Sequence, residues 1–589
     1  MKTFINSYIE LIITSKFTIK KNCTGLKMKS EKINKIILIK LTILLVFAIA
    51  FNSSYSNYSI YTNENLENSD KIDFESNSIS TSSTYSIFWE ANGTIICNAA
   101  DTQRSIDVCS DGAKGAIIAW TDNRSIITDN FDVYAQRVNS NGDPLWTKNG
   151  TLICNATNNQ WYATLCIDGM GGAIITWTDY RNGNADIYAQ RIDKKGEILW
   201  DNNGTVICNA TGNQNIPLIC YDGDNGAIIS WQDTTKGAGD PDIYAQKINS
   251  NGKTLWDDNG TVICNNTESQ GEFEMCYDEN GGAIITWKDT RAGGGKADIY
   301  AQKINSTGKT LWDDNGTIIC NTDSYESRPD LCNDGQGGAI IVWDVNQDVY
   351  AQRINSTGTT LWDDNGTVIC NESSSQYFAR GIVSNGSGGA IVAWDDMRDS
   401  LITGEDVYAQ KVDTNGNTYW GNGSMWGINP DRNGTVISNA LGTQASMGSL
   451  FICSDMMGGA FIAWTDTRNG NYDIYAQRIN RNGIIRGDNN GTVVCNTPDV
   501  QSLHDICSDG AYGSILVWQD QRDDAKGDVY AQRIGYPISS IISNGGDGDD
   551  DDDDDDEAAI PGYNLLFLFG TICLISVIFV IKRNKKNIK

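Results

Sequence analysis

The tract D-[IV]-Y-A-Q-[RK] occurs eight times, centred on Tyr134, Tyr188, Tyr244, Tyr300, Tyr350, Tyr408, Tyr475 and Tyr530. Its period runs from 50 to 67 residues and mostly lies near 55, the spacing of a supersecondary unit in a repeat array. Each unit keeps one order: a short apolar segment ending in an Asp-Gly type turn, G-A-I-I-x-W-x-D-x-R, D-I-Y-A-Q-R-I, a turn such as NSNGK, and L-W-x-x-N-G-T-V-I-C-N. The segments are five to nine residues long, rich in Ile, Val, Trp, Tyr and Thr, and bounded by Gly, Asn and Asp. These are strand and turn signals, and four strands joined by tight turns describe an antiparallel meander. GAIITW is apolar on both faces of the pleat, as a strand covered on both sides must be.

The expected fold is therefore all-β: an eight-bladed β-propeller of four-stranded blades spanning residues 86–535. The array opens with a lone fourth strand, SIFWEANGTIICN, and ends at Ile534 after a third strand, DVYAQRI. The N-terminal strand is thus expected to complete the last blade and close the ring, which removes the free sheet edges of an open array.

The stretch GGAIITWTDYRNGNADIYAQRI, Gly171 to Ile192, resembles the tandem DIYAQR repeats of bacterial and archaeal surface or secreted propeller proteins. It is distantly similar to the Asp-box blades of sialidase-like propellers, whose S-x-D-x-G-x-T-W turn is echoed, without its carboxylate, by NSTGKTLW, Asn305 to Trp312. The resemblance covers about 450 residues and implies an architecture rather than an activity, since propellers host many unrelated functions.

The ends read differently. Four lysines between Lys29 and Lys40 precede the apolar run Leu41 to Phe51 and a small polar exit, the pattern of a secretory leader over residues 28–56. Met28 stands at the usual distance upstream, so residues 1–27 read as a misassigned extension; residues 57–85 read as a polar linker. Eight consecutive Asp, Asp549 to Asp556, repel one another and make residues 536–560 a solvated stalk, the spacer reading being favoured over a Ca²⁺ site. Tyr563 to Ile581 carries no charge over 19 residues and is followed by KRNKKNIK. That is a membrane helix over 561–581 with a basic cytoplasmic tail over 582–589, which puts the array outside the cell on a single-pass anchor. This tail resembles the anchors of archaeal surface-layer proteins.

Within the repeat, W-x-D-x-R appears in six of eight units, as Asp122/Arg124, Asp179/Arg181, Asp289/Arg291, Asp396/Arg398, Asp466/Arg468 and Asp520/Arg522. A feature stamped on most units serves the unit, so Arg is expected to satisfy loop groups and pair with the Asp before IYAQ, such as Asp186. N-G-T recurs at Asn92, Asn149, Asn203, Asn259, Asn315, Asn365, Asn433 and Asn490. Each is a glycan acceptor on an exported chain, and Asn-Gly is equally a turn dipeptide.

Fourteen of 16 cysteines fall on two repeat positions, one in the first strand and one ending the fourth. They come in sets such as Cys109 with Cys154 and Cys166 with Cys208, and unit six lacks both, having Ile382 and Ser438. Joint presence suggests disulfides. Against this, first and fourth strands of a flat meander stand about 14 Å apart, beyond the roughly 7 Å that bridged Cα atoms allow. Buried reduced thiols are the favoured reading.

His504 is the only histidine, so neither a Ser-His-Asp relay nor a histidine metal cluster is available. No catalytic, cofactor or metal residue is assigned. A formal charge of −29 excludes binding to nucleic acid through a broad basic surface. The expected role is a monomeric, non-enzymatic binding or adhesion module for cell-surface polysaccharide or protein, with a glycoside hydrolase or sialidase-like enzyme as the alternative. Trp426, in the unit-six insert Gly421 to Arg432, is the ligand-contact candidate, because function in repeat proteins collects in insertions on one face.

Overall fold

The computed structural model describes residues 86–535 apart from 125–129, 238, 422–433, 446–448 and 524–525. The expected leader, linker, stalk, membrane helix and tail lie outside the described residues, as do Trp426 and Asn433. Every element among the described residues is a strand.

Eight antiparallel sheets follow one another along the chain, each with four main strands. Blade 1 consists of Gln103–Ser110, Ala116–Asp122, Asp132–Val138 and Thr151–Cys154. Blades 2 to 8 begin at Gln160, Gln214, Gln270, Glu326, Gln376, Leu450 and Gln501. The first strands of successive blades touch in an unbroken cycle that returns from blade 8 to blade 1, so they form the inner ring of a propeller. Fourth strands are only four residues long, shorter than the segments expected, and in blade 1 the sheet bulges between Leu152 and the terminal Cys154.

Closure follows the expected clasp. Thr94–Cys97 pairs with Asp528–Gly535, setting Thr94 opposite Ala531 and Cys97 opposite Val529. Blade 1 closes its own fourth strand identically, with Thr151 opposite Ala135 and Cys154 opposite Val133. Ser86–Ile87 adds two more pairs to the same edge.

The core lies between blades. All seven residues of Ala116–Asp122 are buried, since each second strand meets a neighbouring blade on either face. Trp120, Trp177, Trp231, Trp287, Trp343, Trp394, Trp464 and Trp518 are completely buried, each contributing about 4–6 kcal/mol of apolar burial. Each stacks on the Tyr of D-[IV]-Y-A-Q, with centroids 6.2–6.5 Å apart. The N-G-T turn closes over the indole: a Cβ on Gly150 would stand 2.6 Å from the Trp120 ring, at φ +95°, so only glycine fits. The repeated Gln has an equally local cause. Gln190 donates to the Asp201 carbonyl at 2.7 Å and accepts the Arg191 and Trp200 amides, tying the Leu-Trp loop to the third strand.

All fourteen cysteines among the described residues are free. Inner and outer cysteines of one blade are separated by its two middle strands. Inner thiols instead neighbour the inner thiols of adjacent blades, as Cys166 does Cys220 and Cys109. Burial pushes outer thiols such as Cys97 and Cys154 up to about 12, so they are inert small hydrophobes. In blade 6 the residue in register with the inner cysteines is Val383, opposite Ile391 as Cys109 is opposite Ile117, and not Ile382. Its first strand carries one more residue in the bulge, which shifts the register by one.

Two outcomes follow. Intact mass should be unchanged by reductant, whereas seven bridges would add about 14 mass units. Deleting residues 1–98 should leave the 528–535 edge unpaired and produce self-association in size-exclusion chromatography; a monodisperse, equally stable protein would contradict closure by the N-terminal strand.

Candidate functional site

The W-x-D-x-R motif folds back on itself. In blade 2, Asp179 accepts from the Trp177 indole at 2.8 Å, from the Arg181 amide at 2.9 Å, and from Arg181 Nε and Nη2 at 2.9 and 2.5 Å. Arg181 lies 3.8 Å over the Tyr188 ring and donates to the Asn203 carbonyl at 2.7 Å and to Cys154 Sγ of blade 1 at 3.3 Å. All six motif pairs form this ion pair. The expected partner was different: Asp186 takes the amides of Asn182 and Asn184 at 2.7 and 2.8 Å instead of Arg181. A guanidinium two residues past Asp179 closes a local ring onto it, which the longer reach to Asp186 cannot match. In blade 5, Val345 stands where the Asp would be, and in blade 3 Asp233 turns to Gln214 Nε2 at 3.1 Å. The indole N–H groups of Trp231 and Trp343 are accordingly unpartnered. The motif is a clamp between blades.

The N-G-T asparagines are clamps as well. Asn149, at φ 62°, accepts the Asn98 amide of the preceding fourth strand at 3.3 Å, and Asn203 accepts that of Asn155 at 3.0 Å. The same bond repeats at Asn259, Asn315, Asn365 and Asn490, and Asn92 receives Asn496 across the clasp at 3.2 Å. These contacts use the side-chain oxygen; the amide nitrogen that would carry a glycan is not consumed by them.

The variable chemistry sits elsewhere, where the first strand begins beside the W-x-D-x-R loops, here called the upper face. In blades 1 to 5 the first strand leaves register, at Arg104/Asp107, Trp161/Thr164, Asn215/Leu218, Gly271/Glu274 and Ser327/Asp330. The residue after each first-named position is forced into left-handed backbone: Ser105, Tyr162, Ile216, Glu272 and Arg328, at φ 46–55°. Such a conformation costs roughly 1–2 kcal/mol for a residue with a side chain. Bulges of this kind re-aim side chains beside binding and catalytic sites. Tyr162 is 47% and Ile216 43% exposed.

Two sectors result. In blades 1 and 2, Trp161, Tyr162, Tyr180 and Asn159 line a pocket of about 230 Å³. Trp161 lies 6.3 Å from Tyr162 and 5.2 Å from Phe131 between ring centroids, and Arg104 sits 4.6 Å over Phe131. Asn159 Oδ1 takes the Phe131 amide at 3.0 Å. In blades 4 and 5 the rim is charged: Lys288 pairs with Glu272 and donates to the Tyr325 hydroxyl at 3.3 Å, while Arg328 pairs with Asp344 at 2.9 Å. Neither sector stands out in the sequence, because the residue that changes lies two places after the Gln or Glu opening each first strand and strand patterns do not reveal a bulge.

The inner ring also brings together one carboxyl pair. Asp505 of blade 8 is hydrogen-bonded to Asp107 of blade 1 and holds its proton well above the usual carboxylate range, through burial and then the Asp107 charge. Asp107 in turn accepts Thr164 Oγ1 at 2.5 Å and the Leu165 amide at 2.9 Å. Neighbouring His504 is pushed down to about 4 by burial and stays neutral. Among the described residues no three His, Cys, Asp or Glu side chains are placed to share a metal ion.

No protein-family model matches the chain, and no curated protein matches it by sequence. Among solved structures it is similar to a puromycin hydrolase at 11% identity and TM-score 0.37, covering 72% of this chain and 59% of that one, less than two thirds of its length. It is similar to polysaccharide lyase Uly1 at 8% identity and TM-score 0.37, covering 76% and 92%. An endo-arabinase from Bacteroides thetaiotaomicron follows at 11% identity and TM-score 0.27, covering 43% and 92%. None of these carries an argument about activity.

The clamp makes a pH prediction. Asp132 faces Asp122 across the sheet, and burial first, then the Asp122 charge, pushes it up from 3.8 to about 6 against the pull of Arg124. The native state therefore binds the extra proton between those values, so this group loses stability as pH rises from about 4 to about 6. Asp132→Asn should match wild type near pH 4 in urea unfolding and exceed it at pH 7 by on the order of 1 kcal/mol, after discounting for partial exposure. An equal gain at both pH values would contradict the assignment.

Proposed function

We propose that this protein is an extracellular binding propeller, held to the cell membrane by one C-terminal helix, whose upper face binds cell-surface polysaccharide without cleaving it. The carrying observation is the strained Tyr162 beside Trp161, Tyr180 and Phe131 at a shallow pocket. Aromatic rings offer the apolar C–H face of a sugar a flat partner, and the Asn159 amide and Arg104 supply polar contacts at the edge. The rigid ring lowers the ordering cost of binding, because strain at Tyr162 is met by the fold and not by the ligand.

The glycosidase alternative asks for two carboxyls about 5–5.5 Å or 6.5–9.5 Å apart flanking the scissile bond. Asp107 and Asp505 are bonded directly to each other, which fits neither spacing, and Asp107 also accepts from Thr164 and Leu165. The uncharged run Tyr563 to Ile581 and its basic flank support the anchor. The interblade role of the N-G-T oxygens is compatible with glycans on their nitrogens. No cofactor is called for.

Affinity electrophoresis of the full chain through polysaccharide-loaded gels tests the reading. Trp161→Ala with Tyr162→Ala should abolish retardation, a loss of about 2 kcal/mol or roughly thirtyfold. Retention unchanged by the pair, or release of reducing sugar by the wild-type protein, would sink it.

A further inference from the structure

The lower face, opposite the W-x-D-x-R loops, carries a second repeated ion pair that blade 6 alone lacks. In seven blades the turn between first and second strands supplies an Asp whose Oδ2 meets the final cation of D-[IV]-Y-A-Q-[RK], at 2.5–3.2 Å. Examples are Asp168 with Arg191 and Asp278 with Lys303. The Oδ1 of the same Asp takes two amides of the turn, as Asp168 does those of Met170 and Gly172 at 2.8 Å.

Blade 6 has Asn385 and Lys411 at these two positions. Asn385 Oδ1 keeps the turn, accepting the Ser387 and Gly389 amides at 2.8 and 3.1 Å. Its NH2 therefore stands where the other blades have a carboxylate oxygen. Two donors, that amide and the Lys411 ammonium, now share a space built for a donor and an acceptor. Lys411 retains a bond to the Arg481 carbonyl at 3.2 Å but has no carboxylate in ion-pair contact among the described residues. Burial, then the neighbouring Arg481 charge, depresses its proton affinity, with Asp413 opposing.

At this place lies a pocket of about 300 Å³ lined by Asn385, Ser387, Lys411, Asp413, Thr414 and Tyr419. Tyr419 is 39% exposed and donates its hydroxyl to Asp413 at 2.9 Å, which fixes the ring as one wall. The missing element is an anionic acceptor, and the walls are those of a sugar site: an aromatic face, hydroxyls and a carboxylate.

We propose that this pocket binds a uronic acid unit, its carboxylate replacing the lost Asp between Lys411 and Asn385 and its ring lying against Tyr419. The site stands apart from the upper-face aromatic pocket and does not rest on it. A bare carboxylate or an acidic peptide would use the cation and leave Tyr419 idle.

The test is titration calorimetry of the full chain with sodium glucuronate, glucose and sodium acetate. Glucuronate should bind saturably, with glucose and acetate at least tenfold weaker. Asn385→Asp restores the internal ion pair of the other blades, so this variant should melt no lower than wild type and yet bind glucuronate at least tenfold more weakly. Lys411→Met should lose binding to a similar degree. Glucuronate binding undiminished in Asn385→Asp, no binding by wild type, or acetate or glucose binding as tightly would overturn the assignment.

Discussion

Each blade of this protein presents a second strand that is oily on both faces, and no single sheet can cover both. Ala116–Asp122 is wholly buried and its seven counterparts wholly or all but one residue buried, because a neighbouring sheet lies on either side. That requirement makes an isolated unit unstable and leaves an open array with two unmet faces. A closed ring is the arrangement in which every unit has two neighbours, and the strand Thr94–Cys97 makes it continuous by completing the blade that begins at Gln501. Most other repeated features serve this one constraint.

The clamps show how. Trp fills the layer between blades, Tyr stacks on Trp, Arg lies over Tyr, and Asp binds both the indole and the guanidinium. The N-G-T turn then covers the indole with a residue that has no side chain and passes an Asn oxygen to the preceding blade. A buried ion pair is weak evidence for net stability, but its one-sided loss is costly because the remaining charge stays desolvated. Blades 3 and 5 illustrate the milder form, in which a buried indole N–H is left without an acceptor. Blade 6 illustrates a stronger one, in which a cation keeps its place after its carboxylate has gone.

Function in such a ring belongs to departures from the repeat. Insertions such as Gly421 to Arg432 are the departures visible in the sequence. The structure adds two kinds that do not announce themselves. One is the left-handed bulge that turns Tyr162, Ile216, Glu272 and Arg328 outward at a constant place with changing chemistry. The other is a single-atom change, Asn385 for Asp, in which one oxygen becomes an NH2 and a satisfied salt bridge becomes an unmet cation.

The number of blades, the order of their strands and the closure by the N-terminal strand were legible in the chain, because hydrophobic period, turn residues and a displaced fourth strand are local patterns written eight times. That the Asp and Arg of W-x-D-x-R form contacts repeated from unit to unit was legible for the same reason. What needed the tertiary structure was anything set by register and by neighbours. Arg181 binds Asp179, two residues away, while Asp186 is taken by the side-chain amides of Asn182 and Asn184. Val383, not Ile382, takes the cysteine position because a bulge adds a residue that no propensity marks. The joining of Asp505 to Asp107, of Trp161 to Phe131 and of Lys411 to Asn385 depends on which strands the fold sets side by side. Sequence distance carries no information about such meetings until the ring has closed.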